Sequence, residues 1–483
     1  MKEEKKLEFY GGEWISLLPF IIFIATIITT TFGWKSISDG ALWVPAFLAI
    51  LVPFFFAKDK KFYSETVIAG MASKEAIVPV VCWIFAGVFS RVLRMSGLAS
   101  GLAGVAADIG VGPTLFVVIT FLSSAVFATA SGTGFGTIAA GMGVLYPAGV
   151  ALGCNHPLLA GAIISGAAFG DNLAPISDTT ICSATTQEVD VVGVVRSRVK
   201  YAVAASLIAI PAFVIYSLMT SSAAGESADY QYDPLTLLML IPVAVAIYTA
   251  IKSGDIIIAT TIGTVLGCIV AVAAGLFDFV TITNAPELGE KPAVIAVFGE
   301  GLDRTVDGVI YQGLNSMLQV IILALLLFGS ISIMRQGRGD LLLLDAIGKI
   351  AKGPKGAELS ISLMVIILSA IMGLNAPAIL AVGASFAKPL SKKHGISPYR
   401  TANLMDAQSN TLVYCLPWTP AMIYTLGFAA DSAAPLKGTD VMPLVFYTSA
   451  MFIVMMVSIV LGIGRKDLMD QLPPEQRAEY EHK

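Results

Sequence analysis

Residues 170–180 read Gly-Asp-Asn-Leu-Ala-Pro-Ile-Ser-Asp-Thr-Thr. Two carboxylates (Asp171, Asp178), a proline and a run of hydroxyls interrupt a stretch, 157–187, that is otherwise apolar enough to cross a membrane. An acid at the centre of a bilayer costs at least ~2.5–3.5 kcal/mol on insertion scales, so such acids mark ion or substrate paths. Irregular polar backbone at that depth is tolerated only where it is buried in protein or lines a wet cavity. The stretch therefore predicts an ion or substrate site inside a membrane.

The rest of the chain supplies the membrane protein around it. Of 483 residues, 56% are hydrophobic and 13% charged, and the mean hydropathy is +0.80. Soluble domains carry about 25% charged residues. Many apolar runs approach the ~20 residues that a spanning helix needs. The fold class is all-α: a polytopic membrane protein with no soluble domain able to fold alone. A net charge of −4 gives no reason to expect nucleic acid. Cys82, Cys154, Cys182, Cys268 and Cys415 are scattered singly without metal-ligand spacing and read as small buried residues. The charged segment Met1–Tyr10 precedes an apolar run with no clear cleavage site, which reads as a retained helix.

Ten crossing helices are expected: 14–34, 41–57, 76–96, 157–187, 199–221, 235–252, 256–276, 315–335, 398–425 and 442–463. Two further apolar stretches, 114–150 and 357–390, are too long for one crossing, and small polar residues interrupt each midway, Ser131–Gly134 and Gly373–Pro377. They read as re-entrant hairpins whose tips stop near the bilayer midplane, each preceded by an interfacial segment at about 98–110 and 340–352. With the N-terminus inside, 24 of the 30 Lys and Arg fall on cytoplasmic segments, among them Arg196, Arg198, Lys200, Lys392 and Lys393. That bias orients the chain with both termini cytoplasmic. It also sends the two hairpins in from opposite faces.

Opposed hairpins imply an inverted repeat. Arg94, Gly112-Pro113 and Pro157 recur 241 residues later as Arg335, Gly353-Pro354 and Pro398. The expected organisation is a first repeat over 1–221, a second over 235–463 and a cytoplasmic tail over 464–483. Secondary transporters built this way hold their site at the repeat interface, on broken helices. Here four polar breaks would converge: Ser131–Thr137, Gly170–Thr180, Gly373–Ala378 and Asp406–Thr419.

Hydroxyls, unwound carbonyls and carboxylates are hard oxygen ligands suited to Na⁺. The expected ion- and proton-binding residues are Asp171, Asp178, Ser177, Thr179, Thr133, Asn375 and Asp406, with Na⁺ itself at Asp178, Thr133 and Asn375. One carboxylate can hold a proton or a Na⁺ but not comfortably both, which is sufficient chemistry for antiport. The same acids could instead cap half-helix N-termini or pair with an arginine. Asn172, Gln408, Ser409, Asn410, Thr411 and Thr419 are the candidates to hold an organic substrate. Gly132–Gly136 is glycine-rich, but no strand precedes it; its glycines read as a hairpin turn. Neither a Walker A sequence nor HExxH occurs, so neither ATP-driven transport by this chain alone nor an intramembrane metalloprotease is expected.

Phe169-Gly-Asp-Asn-Leu-Ala-Pro-Ile-Ser-Asp-Thr-Thr180 resembles the FGDxxxPxSDTT signature of the NhaC-type Na⁺/H⁺ antiporters of the ion transporter superfamily. Ala130–Thr137 is similar to that family's hairpin sequence, and Asp406-Ala407 with Pro417-Trp418-Thr419 to its second-half motif. The chain departs from the pattern at Asn172 (often Lys), Ala174 (often Ser), Phe135 (Trp), Thr419 (Asn) and Met405, where an acid is usual. The resemblance implies Na⁺/H⁺ antiport by alternating access in a bacterial-type inner membrane, with no cofactor and with Na⁺ and H⁺ as the ions moved. It equally covers carriers that couple Na⁺ or H⁺ to a small organic acid or amino acid. The partners expected are the bilayer, these ions and, on that alternative, an organic substrate; a homodimer is left open.

Overall fold

The structure, a computed structural model, describes residues 6–29, 40–132, 134–175, 177–220, 233–253, 255–283, 291–339, 342, 352–430 and 435–480. Thr133 and most of the expected interfacial segment at 340–352 lie outside the described residues. The chain is a predominantly helical, polytopic membrane protein. Among the described residues five helices are long and apolar enough to cross a bilayer, six if the bent pair Gly438–Leu444 and Phe446–Leu461 counts as one span, and shorter apolar helices accompany them. The long helix Val191–Thr220 shows why the sequence reads so apolar. Its outer face exposes Leu207 (69%) and Met219 (78%), as lipid contact demands, while Arg198 and Tyr201 turn inward.

Two helical hairpins and two broken helices form the centre. The first hairpin runs from Pro113–Ser131 into Gly134–Ala151, and the second from Gly353–Met372 into Asn375–Val382. Each incoming helix starts on a proline in its first turn and ends on a left-handed glycine, Gly132 (φ +69°) or Gly373 (φ +66°). A left-handed residue after the last turn is where glycine is cheapest, so these glycines reverse the chain. They stand 241 residues apart, the spacing already read from Pro157 and Pro398. The returning arm of the second hairpin continues through a wide π turn, Gly383–Ala387, into Lys388–His394.

The first broken helix is His156–Leu173 followed by Asp178–Gln187. Asn155 caps its start by accepting the Leu158 N–H at 3.0 Å. Pro175 lacks an N–H and forces the residue before it out of helical geometry, and Ala174 is accordingly extended (ψ 121°). Gly170 lets this helix press onto the first hairpin: a Cβ there would stand 2.2 Å from the Ala128 Cβ.

The second broken helix departs from expectation. Helix Pro398–Leu412 runs unbroken through Asp406, Gln408, Ser409, Asn410 and Thr411, and the chain unwinds only over 413–419 before Pro420–Ala430. The polar residues do not break the helix because three of them bond back into it. Ser409 Oγ and Asn410 Nδ2 donate to the Asp406 carbonyl at 2.9 and 3.1 Å, and Thr411 Oγ1 to the Gln408 carbonyl at 2.6 Å. Pro417, like Pro175, accompanies the break; Trp418 Nε1 pins it to the Ala370 carbonyl at 3.0 Å. A second feature was not foreseen. The connection between the expected helices 256–276 and 315–335 holds a small sheet in which β1 (Asp278–Thr283) pairs parallel with β2 (Ala293–Phe298), and β2 antiparallel with β3 (Thr305–Asp307).

Candidate ion-binding site

Asp171 sits in the last turn before the first break, buried, and three elements bring donors to it. Ser177, at the far side of the break, donates to its Oδ1 at 2.7 Å. Tyr414, in the second break, donates to Oδ2 at 2.9 Å. Asn375, the first residue after the second hairpin tip, reaches Oδ2 at 3.5 Å. The site is thus assembled from parts more than 200 residues apart, and none of those parts could make it alone.

Around Asp171 the polar groups form one connected network. Ser177 Oγ lies 2.9 Å from Thr179 Oγ1. Asn375 donates to Asn410 Oδ1, and Asn410 Nδ2 in turn reaches Asn172 Oδ1 at 2.9 Å and Asp406 Oδ1 at 3.1 Å. Asp178 opens the second half-helix and is exposed, although Asp171, Ser177 and Thr179 beside it are buried. Ile181, Thr185 and Glu188 extend its exposed stripe at helical spacing. The facing arm of the second hairpin exposes Leu380 and Ala384, and Lys388 pairs with Glu188 at 2.6 Å where the two walls end. Pro377 lies on the same helical face as Leu380 and Ala384. It lines a cavity of about 220 Å³ with Leu374, Gly70, Ser73, Ser332 and Arg335.

Asp406 is placed differently from Asp171 and Asp178. Its Oδ2 lies 2.6 Å from Arg198 NH1, and both side chains are fully buried. Ser183 Oγ reaches the same Oδ2 at 3.5 Å. Arg198 also donates to the Asn172 carbonyl and stands 3.4 Å from Thr180 Oγ1, so it touches both sides of the first break. Among the described residues no three acidic, His or Cys side chains converge closely enough to hold a metal ion between them.

The profile of the Na⁺/H⁺ antiporter family matches residues 12–219 and residues 203–460. This chain belongs to the Na⁺/H⁺ antiporter family. It is similar to the Na(+)/H(+) antiporter NhaC of Alkalihalophilus pseudofirmus, 26% identical over 470 residues that make up 93% of this chain and 96% of that one. It is also similar to the malate-2H(+)/Na(+)-lactate antiporter of Bacillus subtilis, 28% identical over 272 residues, 52% of this chain; it spans about half of that relative's length, 55%. Among solved structures it is similar to the Alcanivorax borkumensis YdaH transporter, with a TM-score of 0.40 and 13% identity over 84% of this chain and 89% of that one.

Of the residues expected to bind ions in this family member, the structure brings together Asp171, Ser177, Thr179 and Asn375, with Asp178 alongside. Thr133 lies outside the described residues. Of the substrate candidates, Asn172 and Asn410 join the network. Ser409, Thr411 and Thr419 bond within their own turns, Thr419 Oγ1 to the Leu416 carbonyl at 2.7 Å. Gln408 is fully buried with neither end of its amide hydrogen-bonded. Two participants were missed in the sequence, Arg198 and Tyr414. The signal for Tyr414 was there to be used: it is a polar-tipped aromatic three residues before Pro417, and buried Tyr hydroxyls need partners.

Proposed function

We propose that this chain exchanges Na⁺ for H⁺ across the membrane by alternating access, with Asp171 and Asp178 as the carboxylates over which the two ions compete. The observation that carries this reading is the convergence on buried Asp171 of Ser177, Asn375 and Tyr414, with Asp178 beside them at the exposed start of the second half-helix. Burial disfavours a bare carboxylate, so Asp171 must be protonated, cation-bound or fully hydrogen-bonded at each stage. A Na⁺ arriving at Asp178 would find oxygens of Asp171, Ser177, Thr179 and Asn375 within one network, with Thr133 of the first hairpin as a further ligand. Loading of one ion then expels the other.

An exposed acid at mid-membrane depth belongs in an aqueous crevice rather than against lipid. The stripe from Asp178 through Thr185 to Glu188 is read as the floor of such a crevice, opening to the cytoplasm, where Lys and Arg are concentrated. Ten crossings and two hairpins in an inverted repeat, with both termini cytoplasmic, complete the proposal. The common spacing of Gly132 with Gly373 and Pro157 with Pro398 supports the repeat. Replacing Asp178→Asn is expected to abolish Na⁺-dependent proton movement in everted vesicles while the purified protein still elutes as a single folded species. Exchange at the wild-type rate in that variant would remove Asp178 from the mechanism.

The second reading is a Na⁺- or H⁺-coupled carrier of a small organic acid or amino acid. Gln408, buried with an unengaged amide, is the observation in its favour. Uptake of a radiolabelled organic substrate that requires Na⁺ would select it.

A further inference from the structure

Arg94 and Arg335, 241 residues apart, occupy corresponding places and make unequal bonds. Arg94 stands in the last turn of helix Lys74–Met95, and Arg335 in the last turn of Leu318–Gln336. Arg94 NH2 donates to the Phe428 carbonyl, in the last turn of Pro420–Ala430. Last-turn carbonyls lack a donor within their own helix, so a guanidinium suits them. Arg335 is exposed on the wall of the cavity of about 220 Å³, and among the described residues no group holds its guanidinium. The half-helices after the two breaks differ in the same sense. Their counterparts lie 242 apart, as Pro175 and Pro417 do. Asp178, Ile181 and Thr185 are exposed, whereas Pro420, Ile423 and Gly427 are buried. Ile181 is 45% exposed and Ile423 3%. The counterpart of Phe428 is Thr186, at the end of Asp178–Gln187. There the Glu188 N–H takes the Ala184 and Thr185 carbonyls and leaves that of Thr186. Both differences run one way: the face at Arg94 is fastened and the face at Arg335 is open.

We propose that Arg94 and Arg335 are reciprocal latches, one on each face, that close the protein in turn. Here Arg94 fastens the outer end of Pro420–Ala430. In the opposite state Arg335 takes up the Thr186 carbonyl as the crevice closes over Asp178, Ile181 and Thr185, while Arg94 releases Phe428. The inference rests on the inverted repeat and alternating access proposed above, and adds the bond that closes each face. The chemistry suits a latch. A guanidinium on a backbone carbonyl can let go without uncovering a carboxylate, and arginine keeps its charge at every pH at which protons are exchanged. One hydrogen bond from a charged donor shifts an equilibrium roughly tenfold or more, enough to bias which face is open and small enough to be reversed in each cycle. Arg91, one turn before Arg94, bonds instead to Gln312 Oε1 at 3.1 and 2.6 Å, so the two outer arginines are not interchangeable.

The test reads the two faces separately, in the full chain with its five native cysteines replaced. Ile181→Cys or Ile423→Cys, one per protein, is labelled by a membrane-impermeant maleimide without ion gradients, the first in everted vesicles and the second in right-side-out ones. With both arginines intact, Ile181→Cys should label faster; equal rates overturn the proposal. Arg94→Ala should lower the ratio of the two rates about tenfold, and Arg335→Ala should raise it about tenfold. Removing both should bring the ratio back towards its starting value, and Arg335→Lys should leave it unchanged. Shifts in the same direction, or no shift in either single variant, overturn the proposal, because an arginine that only anchors its own helix would not move the two faces in opposition. If Arg94→Ala does not fold, Arg335→Ala alone decides, and an unchanged ratio overturns the proposal. Labelling requires no transport, so a protein with both arginines intact but without Na⁺/H⁺ exchange would refute the exchange reading separately.

Discussion

At the scale of single residues, Tyr414 ties the two halves of the site together. Its hydroxyl donates to Asp171 and occupies the space that a side chain on Gly134 would need: a Cβ there would lie 1.8 Å from the Tyr414 oxygen. Its ring stacks on Phe135, 6.1 Å between centroids, so the first hairpin tip, the first break and the second break meet on one side chain. A hydrogen bond to a charged group contributes about 1.5–3 kcal/mol, or roughly ten- to a hundredfold in an equilibrium constant. Tyr414→Phe is therefore expected to raise the Na⁺ concentration for half-maximal exchange by about tenfold or more. Gly134→Ala should impair the wild type more than it impairs Tyr414→Phe, where the clashing oxygen is gone. An unchanged Na⁺ dependence in Tyr414→Phe would remove the hydroxyl from the site. Asp171, Ser177 and Asn375 were legible in the sequence because polar groups in apolar surroundings are costly and stand out. Tyr414 was passed over, since a tyrosine in an apolar run reads as packing unless its hydroxyl's need for a partner is weighed. Arg198 was hidden by company: between Arg196 and Lys200 it counts as one more cytoplasmic positive charge, and only burial separates it from them.

At the scale of elements, the hairpins were legible from apolar stretches too long for one crossing and interrupted by glycine. The first break was legible from Pro175. The second was placed too early, because runs of Gln, Ser, Asn and Thr were read as loosening the helix when those side chains bond back into it. The strands β1–β3 are only three to six residues long, and nothing in their charged, mixed surroundings separates them from a loop. The base of the second hairpin shows how its helices are fixed. Glu358 is fully buried between two arginines, 2.9 Å from Arg400 Nε and 2.7 Å from Arg465 NH2, and Arg400 further donates to Tyr201 and Ser458 at 3.1 and 2.8 Å. Removing one partner of a buried ion pair leaves an uncompensated charge and typically costs about 3–5 kcal/mol. Glu358→Ala is expected to lower the thermal midpoint in detergent by several degrees or to abolish folding, and an unchanged midpoint would show that the arginines find other partners.

At the scale of the whole molecule, hydropathy and charge bias alone were enough to read a polytopic membrane protein, and family membership is now established by the match across both halves of the chain. What no local pattern could supply is the meeting of Asp171 with Asn375 and Tyr414, 204 and 243 positions away. Alternating access needs such a site, since parts belonging to different elements can separate and close as a unit. The central claim is that Na⁺ and H⁺ compete for Asp171 and Asp178. The most direct test is the apparent KM for Na⁺ in proteoliposomes as a function of pH. Competition at a shared carboxylate predicts that, on the acid side, KM rises about tenfold for each unit fall in pH while the maximal rate at saturating Na⁺ is retained. A Na⁺ KM independent of pH across that range would contradict the account.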